Sequence, residues 1–316
     1  MLRRRPSLLI RPELDDHALH ATLAELRPAQ QLHGLGAGRS RPVWEPAARL
    51  LRATGRDWDR RTHRVCVLAR AAPAAVFEGW AAARPDDGDA LVLRAFVLSA
   101  RAAADGRSAA RTAEQACLRA ATACPEDPAP WLALLDLMHA YAVPVRDAVP
   151  VWTEAVGRAP WHRAAYHRLL RYLSPRGHGA VADMMDFAGQ SATRAPLGSP
   201  LALLPVAARV ELVAHRRSQN SLTALGADGH WNEPRAAEEI DAALNGWFRT
   251  AAAPHAEAVI DLNLLAFALS RTHRPADAAP VFRRIGRHMT RHPWDQLPEP
   301  QRTFLYWRDR PGGRTP

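Results

Sequence analysis

Lysine is absent from this chain. All 42 Lys+Arg positions among its 316 residues are arginine, and against 32 acidic residues they leave a net charge of +10. Arginine without lysine, with abundant alanine and 26 prolines, is the mark of a GC-rich bacterial coding sequence. On that reading much of the basic balance is expected to be codon bias on ordinary solvated helix faces. A basic chain can also signal an acidic or nucleic-acid partner. Here the arginines are spread along the chain and not gathered in one tail or stripe, which weighs against nucleic acid.

Other absences exclude more. The only cysteines are Cys66, Cys117 and Cys124. An odd, sparse set builds no disulfide framework, and the Cys117–Cys124 spacing is too wide for a CxxC redox or zinc knuckle. Such thiols are expected as small buried apolar residues in a reducing compartment. Long apolar runs are missing as well. Behind the basic Met1–Arg5 the apolar stretch is only Ser7–Ile10, short of the roughly 7–15 residues of a secretory core. The longest uncharged run, Ala195–Ala208, holds three prolines and falls short of the ~20 residues a membrane-spanning helix needs. A cytoplasmic chain with no membrane partner is expected. Aromatics make up only 7%, and alternating runs of Val, Ile, Thr or Tyr are lacking, which argues against sheets. The apolar share is heavy in alanine, the best helix former.

What is present is a series of helical segments separated by Pro, Gly, Asp and Ser, the residues of helix caps and stops. Residues 1–56 read as an N-terminal extension. It carries short helices at Pro12–Arg27 and Glu45–Thr54 around a Gly-rich loop at His33–Ser40. Helices follow at Asp57–Arg70, Ala74–Ala83, Asp89–Ala104, Ser108–Ala123, Pro128–Ala140, Val145–Arg158, Trp161–Leu173, Gly179–Gln190 and Pro200–Arg217, forming a repeat region over 57–217. A polar loop, Ser218–Gly229, leads to a C-terminal region, 218–316, with helices at Glu233–Thr250, Ala256–Ser270, Pro275–Thr290 and Pro298–Arg308. Tyr166, Leu169, Leu170 and Leu173 fall on one helix stripe, as do Leu262, Leu265, Ala266 and Leu269. The fold class is all-α, with antiparallel helix pairs joined by short connections.

A fixed period supports helix pairs. Pro125 and Pro160 are 35 residues apart, and each closes a pair. In a unit of about 34 residues beginning at Ala129, Leu132, Leu135, Ala148, Trp152, Ala155 and Pro160 fall where the tetratricopeptide repeat places its W, L, A, F, A and P. The chain resembles that family here. A second partial match begins at Arg163 (Tyr166, Leu169, Ala182) and a third at Val259 (Leu262, Leu265, Ala266, Ala278, Phe282), while Ala113, Ala120 and Pro125 fit only the second half of a unit. No unit carries the W-x-x-L-G-x-x-Y core, so the match is degenerate, with its centre at 129–190. The stretch Trp161–Ala188 is also similar to uncharacterised actinobacterial helical-repeat proteins, a family that implies no activity. The resemblance implies an irregular α-solenoid whose first helices line a concave groove.

No motif for catalysis, metal or cofactor emerges. Gly34, Gly36, Gly38, Arg39 and Ser40 lack both the first glycine and the lysine of a phosphate loop, so a linker is expected. His288 and His292 are one turn apart but enclose Met289, Thr290 and Arg291, not the Glu of a zinc protease. Asp183 and Asp186 read as surface acids. No cofactor is expected. The most suggestive residues are Arg163, His167 and Arg171, at i, i+4 and i+8, with His162 and Arg168 beside them. On the resemblance, His167 and Arg171 would face the groove, as would Asn263 and Arg271 in the third unit. Such a basic groove would suit a protein or peptide partner presenting acidic side chains or a C-terminal carboxylate. Trp231, beside the polar loop, is expected to be the exposed tryptophan of an interface, while Trp294 and Trp307 are expected to seal the end of the stack. Two functions are therefore expected: a protein-interaction module without catalysis or, alternatively, an enzyme or accessory protein of a biosynthetic pathway with a small-molecule pocket between helices. They differ at the polar loop Ser218–Gly229, which an enzyme would use as a lid.

Overall fold

The computed structural model describes residues 8–27, 42–219, 221–250 and 254–310. The Gly-rich stretch with Gly34, Gly36, Gly38, Arg39 and Ser40 lies outside them. Sixteen α-helices run through the described residues. The one extended pairing among these residues is a parallel bridge between Leu9 and His288. None of these helices taken singly is long and apolar enough to cross a membrane. The chain folds as two compact units, Asp16–Tyr172, and Leu173–Pro316 together with Met1–Asp15. The division falls at the end of one helix, not at residues 56 or 217, and the short helices expected as an extension belong to the first unit.

That unit contains α1 (His17–Leu26), α2 (Glu45–Thr54), α3 (Trp58–Ala71), α4 (Ala74–Ala83), α5 (Gly88–Asp105), α6 (Arg107–Ala123), α7 (Ala129–Ala140), α8 (Val145–Arg158) and α9 (Arg163–Leu173), whose last residue begins the second unit. Caps set several boundaries. Asp57 accepts the Arg60 amide at 3.1 Å and opens α3, where its side chain was expected to act. Asp16 accepts the Leu19 amide at 3.0 Å, so α1 opens after Asp16 and not at Pro12. Gly55, at φ 57°, ends α2 in the left-handed conformation that favours glycine.

The centre of this unit is α3. Arg61, Thr62, His63 and Arg64 are buried along with Val65, Val67 and Leu68. Burying a charge is costly unless it is paired and hydrogen-bonded. Arg61 Nε meets Asp127 at 2.6 Å and its Nη2 meets Asp89 at 2.7 Å. Asp127 also caps α7 through the Ala129 amide at 2.8 Å. Arg64 forms a bidentate pair with Asp16, at 2.7 and 3.1 Å, and donates to Thr54 Oγ1 at 2.7 Å. One helix thereby holds the start of α1, the end of α2, α5 and the start of α7.

It also reaches α9. Thr62 Oγ1 lies 3.1 Å from His162 Nε2, and the Arg163 amide donates to Asp59 at 3.2 Å. In a linear solenoid each repeat touches only its neighbours, whereas these hydrogen bonds join segments 100 residues or more apart. The row of helices expected to line a concave groove is therefore met by α3.

The second unit contains α10 (Val181–Arg194), α11 (Leu204–Arg217), α12 (Ser221–Gly226), α13 (Pro234–Ala243), α14 (Ala258–Arg271), α15 (Pro275–Ile285) and α16 (Pro300–Arg308). The segment expected as the loop Ser218–Gly229 thus carries a short helix and a following 3-10 turn, Ala227–Trp231. Gly286, at φ 61°, stops α15 before the expected Thr290. His288 consequently sits on the bridge to Leu9, and the expected His288–His292 pair shares no helix face. Apart from Ile260, every residue from Ala258 to Ser270 is buried, which makes α14 the core helix. Phe267, Phe282, Trp294 and Phe304 pack edge-on or tilted with centroids 5.3–6.1 Å apart. Trp294, expected at an open end, is at the centre of that cluster with no exposed surface.

The pairs α7–α8 and α14–α15 share a register. One spacing separates Leu132 from Leu262, Leu135 from Leu265, Ala148 from Ala278 and Pro150 from Pro280. The leucines and alanines at those positions are buried in both pairs. Trp152 and Phe282 also correspond, and each packs edge-on against an aromatic of the next helix, Tyr166 at 5.4 Å and Phe304 at 5.3 Å. A small residue on the second helix lets the pair close up, and the large ring one turn later binds the following helix.

Arg61→Ala should lower the unfolding free energy by about 3–5 kcal/mol, because it strands Asp127 and Asp89 beside an apolar core. Arg49→Ala, which breaks a pair with Glu25 at the surface, should cost under about 1 kcal/mol. Denaturant titration of both variants checks the contrast. Burial alone would raise the Asp16 carboxyl, but the hydrogen bonds from Arg64 and the Leu19 amide outweigh it and hold the group below its ordinary value. Its contribution to stability is then present above the unfolded value of about 3.9 and is lost as pH falls below it. Asp16→Asn should flatten the acid limb of the stability–pH curve.

Candidate functional site

Four helices of the first unit converge on a cleft of about 240 Å³. Cys66, Ala69 and Arg70 come from the last turns of α3, Phe96, Ser99 and Ala100 from α5, Asp136, His139 and Ala140 from α7, and Arg171 from α9. The local reason is helical spacing. Cys66 and Arg70 are i, i+4, Asp136 and His139 are i, i+3, and Arg168 and Arg171 are i, i+3, so each of these helices turns two polar groups to one side.

Charge in the cleft is unbalanced. Asp136 is met by Arg168 Nε at 3.0 Å and Arg171 Nη2 at 2.8 Å. Burial would raise its carboxyl, but Arg168 and Arg171, with Arg70 further off, hold it below the ordinary carboxylate range. Arg70 is exposed and makes no hydrogen bond or ion pair with the described residues. Three guanidinium groups thus surround one carboxylate, and Arg168 Nη2 also lies 3.3 Å from Cys66 Sγ. Ser99, at the inner wall, is buried and lies 3.4 Å from Cys117 Sγ.

The residues expected from sequence are distributed differently. Arg171 lines the cleft. His167 lies half-buried on the same helix. Arg163 is 4% exposed and Asn263 0% exposed, so neither lines an open groove. Asn263 uses its whole amide inside the second unit. Its Nδ2 donates to the Val259 and His288 carbonyls at 2.8 and 3.0 Å, and its Oδ1 accepts from the Thr290 amide at 3.2 Å and Trp294 Nε1 at 2.9 Å. It fixes the segment after α15 onto α14. Arg271 pairs with Asp228 at 3.1 Å, and Arg217 with the same carboxylate at 2.5 Å.

Trp231 corrects the expectation of an exposed interface residue, since it is 3% exposed and packs on Phe267 at 6.0 Å. Among the described residues the exposed tryptophan is Trp161, stacked on Tyr166. A buried arginine explains Trp231. Arg209 on α11 pairs with Glu239 at 2.7 Å and Glu233 at 2.9 Å and donates to the His230 carbonyl at 2.6 Å. The segment around His230 and Trp231 is pinned into the core, and it lines neither the Cys66 cleft nor a second one beside Gly189, Ala202 and Gly246. A lid role for it finds no support in that placement.

Cys66, Arg70, Asp136 and His139 were missed in sequence. The available signal was a single carboxylate, Asp136, inside the apolar run Leu132–Met138, where an acid needs a basic partner. Among the described residues no group of three or more His, Cys, Asp or Glu is placed to hold a metal ion. No family model, no curated protein and no solved structure matches the chain significantly.

Two substitutions separate core from cleft. Asn263→Leu orphans the Trp294 and Thr290 donors and should cost about 3 kcal/mol or more. Trp231→Ala should cost about 3–5 kcal/mol. Thermal unfolding measures both, and near-neutral values would return these residues to a surface role.

Proposed function

We propose that the chain is a non-catalytic interaction module whose first unit takes an acidic side chain or C-terminal carboxylate of a protein or peptide partner in the cleft bounded by Arg70, Arg171 and Asp136. The observation that carries this reading is the charge imbalance, three arginines around one carboxylate, with Arg70 making no ion pair among the described residues. A guanidinium binds a carboxylate through two parallel hydrogen bonds. Asp136 already holds Arg171 at the wall, and Arg70 beside it makes no ion pair among the described residues, so an incoming acid meets a partly ordered cationic wall and gives up less conformational entropy. The volume, about 240 Å³, is below the roughly 300–1,000 Å³ of small-molecule pockets and suits one side chain of a longer partner. At this cleft the size favours recognition of one peptide side chain over a whole small molecule.

The pairs α7–α8 and α14–α15 are read as degenerate tetratricopeptide-like units. Their shared register and the aromatic link from each second helix to the next element support that reading. Peptide binding along the whole row of first helices is not part of it, because α3 occupies that row and leaves the cleft at its end.

The test is titration of a fluorescein-labelled oligoglutamate peptide. Arg70→Glu should weaken binding about tenfold or more and flatten its salt dependence, while unfolding free energy changes by less than about 1 kcal/mol. Equal affinity in wild type and Arg70→Glu would overturn the assignment.

A further inference from the structure

The cleft also holds a nucleophile that acid binding does not use. Cys66 lines it, and the Arg168 guanidinium stands 3.3 Å from its sulfur, with Arg70 and Arg171 on the same walls. Thiols react as thiolates, and partly exposed, electropositive surroundings favour that form. The other two thiols are placed otherwise. Cys117 is buried against Ser99, and burial pushes it up to about 11. Burial also raises Cys124, and the acids near it, Asp127, Asp89 and Asp87, add to the effect against Arg61. Among the described residues neither has a guanidinium donating to its sulfur.

We infer that Cys66 is the thiolation site of this chain and that its reaction partner is an anionic low-molecular-weight disulfide, drawn into the cleft by Arg70 and Arg171. Cys66 gives its proton to solvent, and its sulfur attacks one sulfur of the disulfide in line with the bond that breaks. The Sγ–S bond forms, the reagent's S–S bond opens, and the departing thiolate takes up a proton. Cys66 is oxidised to a mixed disulfide and the other half of the reagent is reduced to a thiol, so no further oxidant is needed. The adduct occupies a cleft of about 240 Å³ and displaces an acidic side chain. That regulatory consequence rests on the acid-binding reading, while the thiolation itself does not.

The full chain is treated with substoichiometric dithiobis(nitrobenzoate), which is anionic, or dithiodipyridine, which is neutral, and the first adduct is located by peptide mass mapping. Cys66 should take it. The anionic-to-neutral rate ratio, normalised to free cysteine, should be about tenfold above unity and should fall about threefold in Arg70→Gln, as for the loss of one nearby charge. Raised salt should lower it likewise. A first adduct on Cys117 or Cys124, or an equal ratio in wild type and Arg70→Gln, overturns the inference. Thiolated wild type should then lose affinity for the oligoglutamate peptide about tenfold, whereas reagent-treated Cys66→Ser should not. If untreated protein never binds the peptide but Cys66 still reacts first with the anionic preference, the acid-binding reading fails and the thiolation site stands. If the peptide binds and another cysteine reacts first, the reverse holds.

Discussion

Four consecutive polar residues, Arg61 to Arg64, are buried in the middle of α3, and the first unit is arranged to make that tolerable. An unpaired guanidinium in such surroundings would cost several kcal/mol. Each arginine therefore brings its own acids with it, and those acids sit at element starts. Asp127 precedes α7 and Asp16 precedes α1, where each also satisfies backbone amides. Asp59 does the same for α9 at the Arg163 amide. Ion pairing and helix capping are thus one set of interactions, and they fix which helices may surround α3. The cleft is a by-product of that choice, because α5, α7 and α9, once held around α3, bring their polar side chains to one place beside its last turns.

The second unit meets the same demand with fewer charges. Asn263 satisfies its entire amide between α14 and the segment after α15. Arg209 draws two glutamates and a backbone carbonyl around itself. Polar groups that look like binding residues in the sequence are committed to packing here. The first unit keeps one cation of the cleft, Arg70, outside such commitments, and the proposed function rests on that residue.

Helix positions were legible because their causes are local. Asp57, Gly55 and the alanine-rich stripes announce themselves within a turn. The shared leucines and alanines of α7–α8 and α14–α15 were legible for the same reason. The errors have a common cause too. Trp231 looks exposed beside its polar loop and Asn263 looks available on a groove-facing helix, because polarity and neighbouring loop residues mark a surface when no partner is known. His288 and His292 look like a helical pair until Gly286 ends the helix. Arg163 lies on the expected face, yet that face meets α3. Arg171 stands out in the sequence and lines the cleft, whereas Arg70 and Cys66 do not stand out, since the residues around them lie on three other helices.

The sequence by itself determined that the chain is helical, where most helices start and stop, and which residues of each pair pack inward. Those properties depend on interactions within a few residues. The tertiary structure decided what the polar residues are for. Whether an arginine is a structural ion, like Arg61 and Arg209, or an available one, like Arg70, depends on which carboxylates come within about 3 Å. In this fold those partners are drawn from helices far apart in the chain, so the balance of charge in the cleft exists only once α3 has gathered α5, α7 and α9 around it.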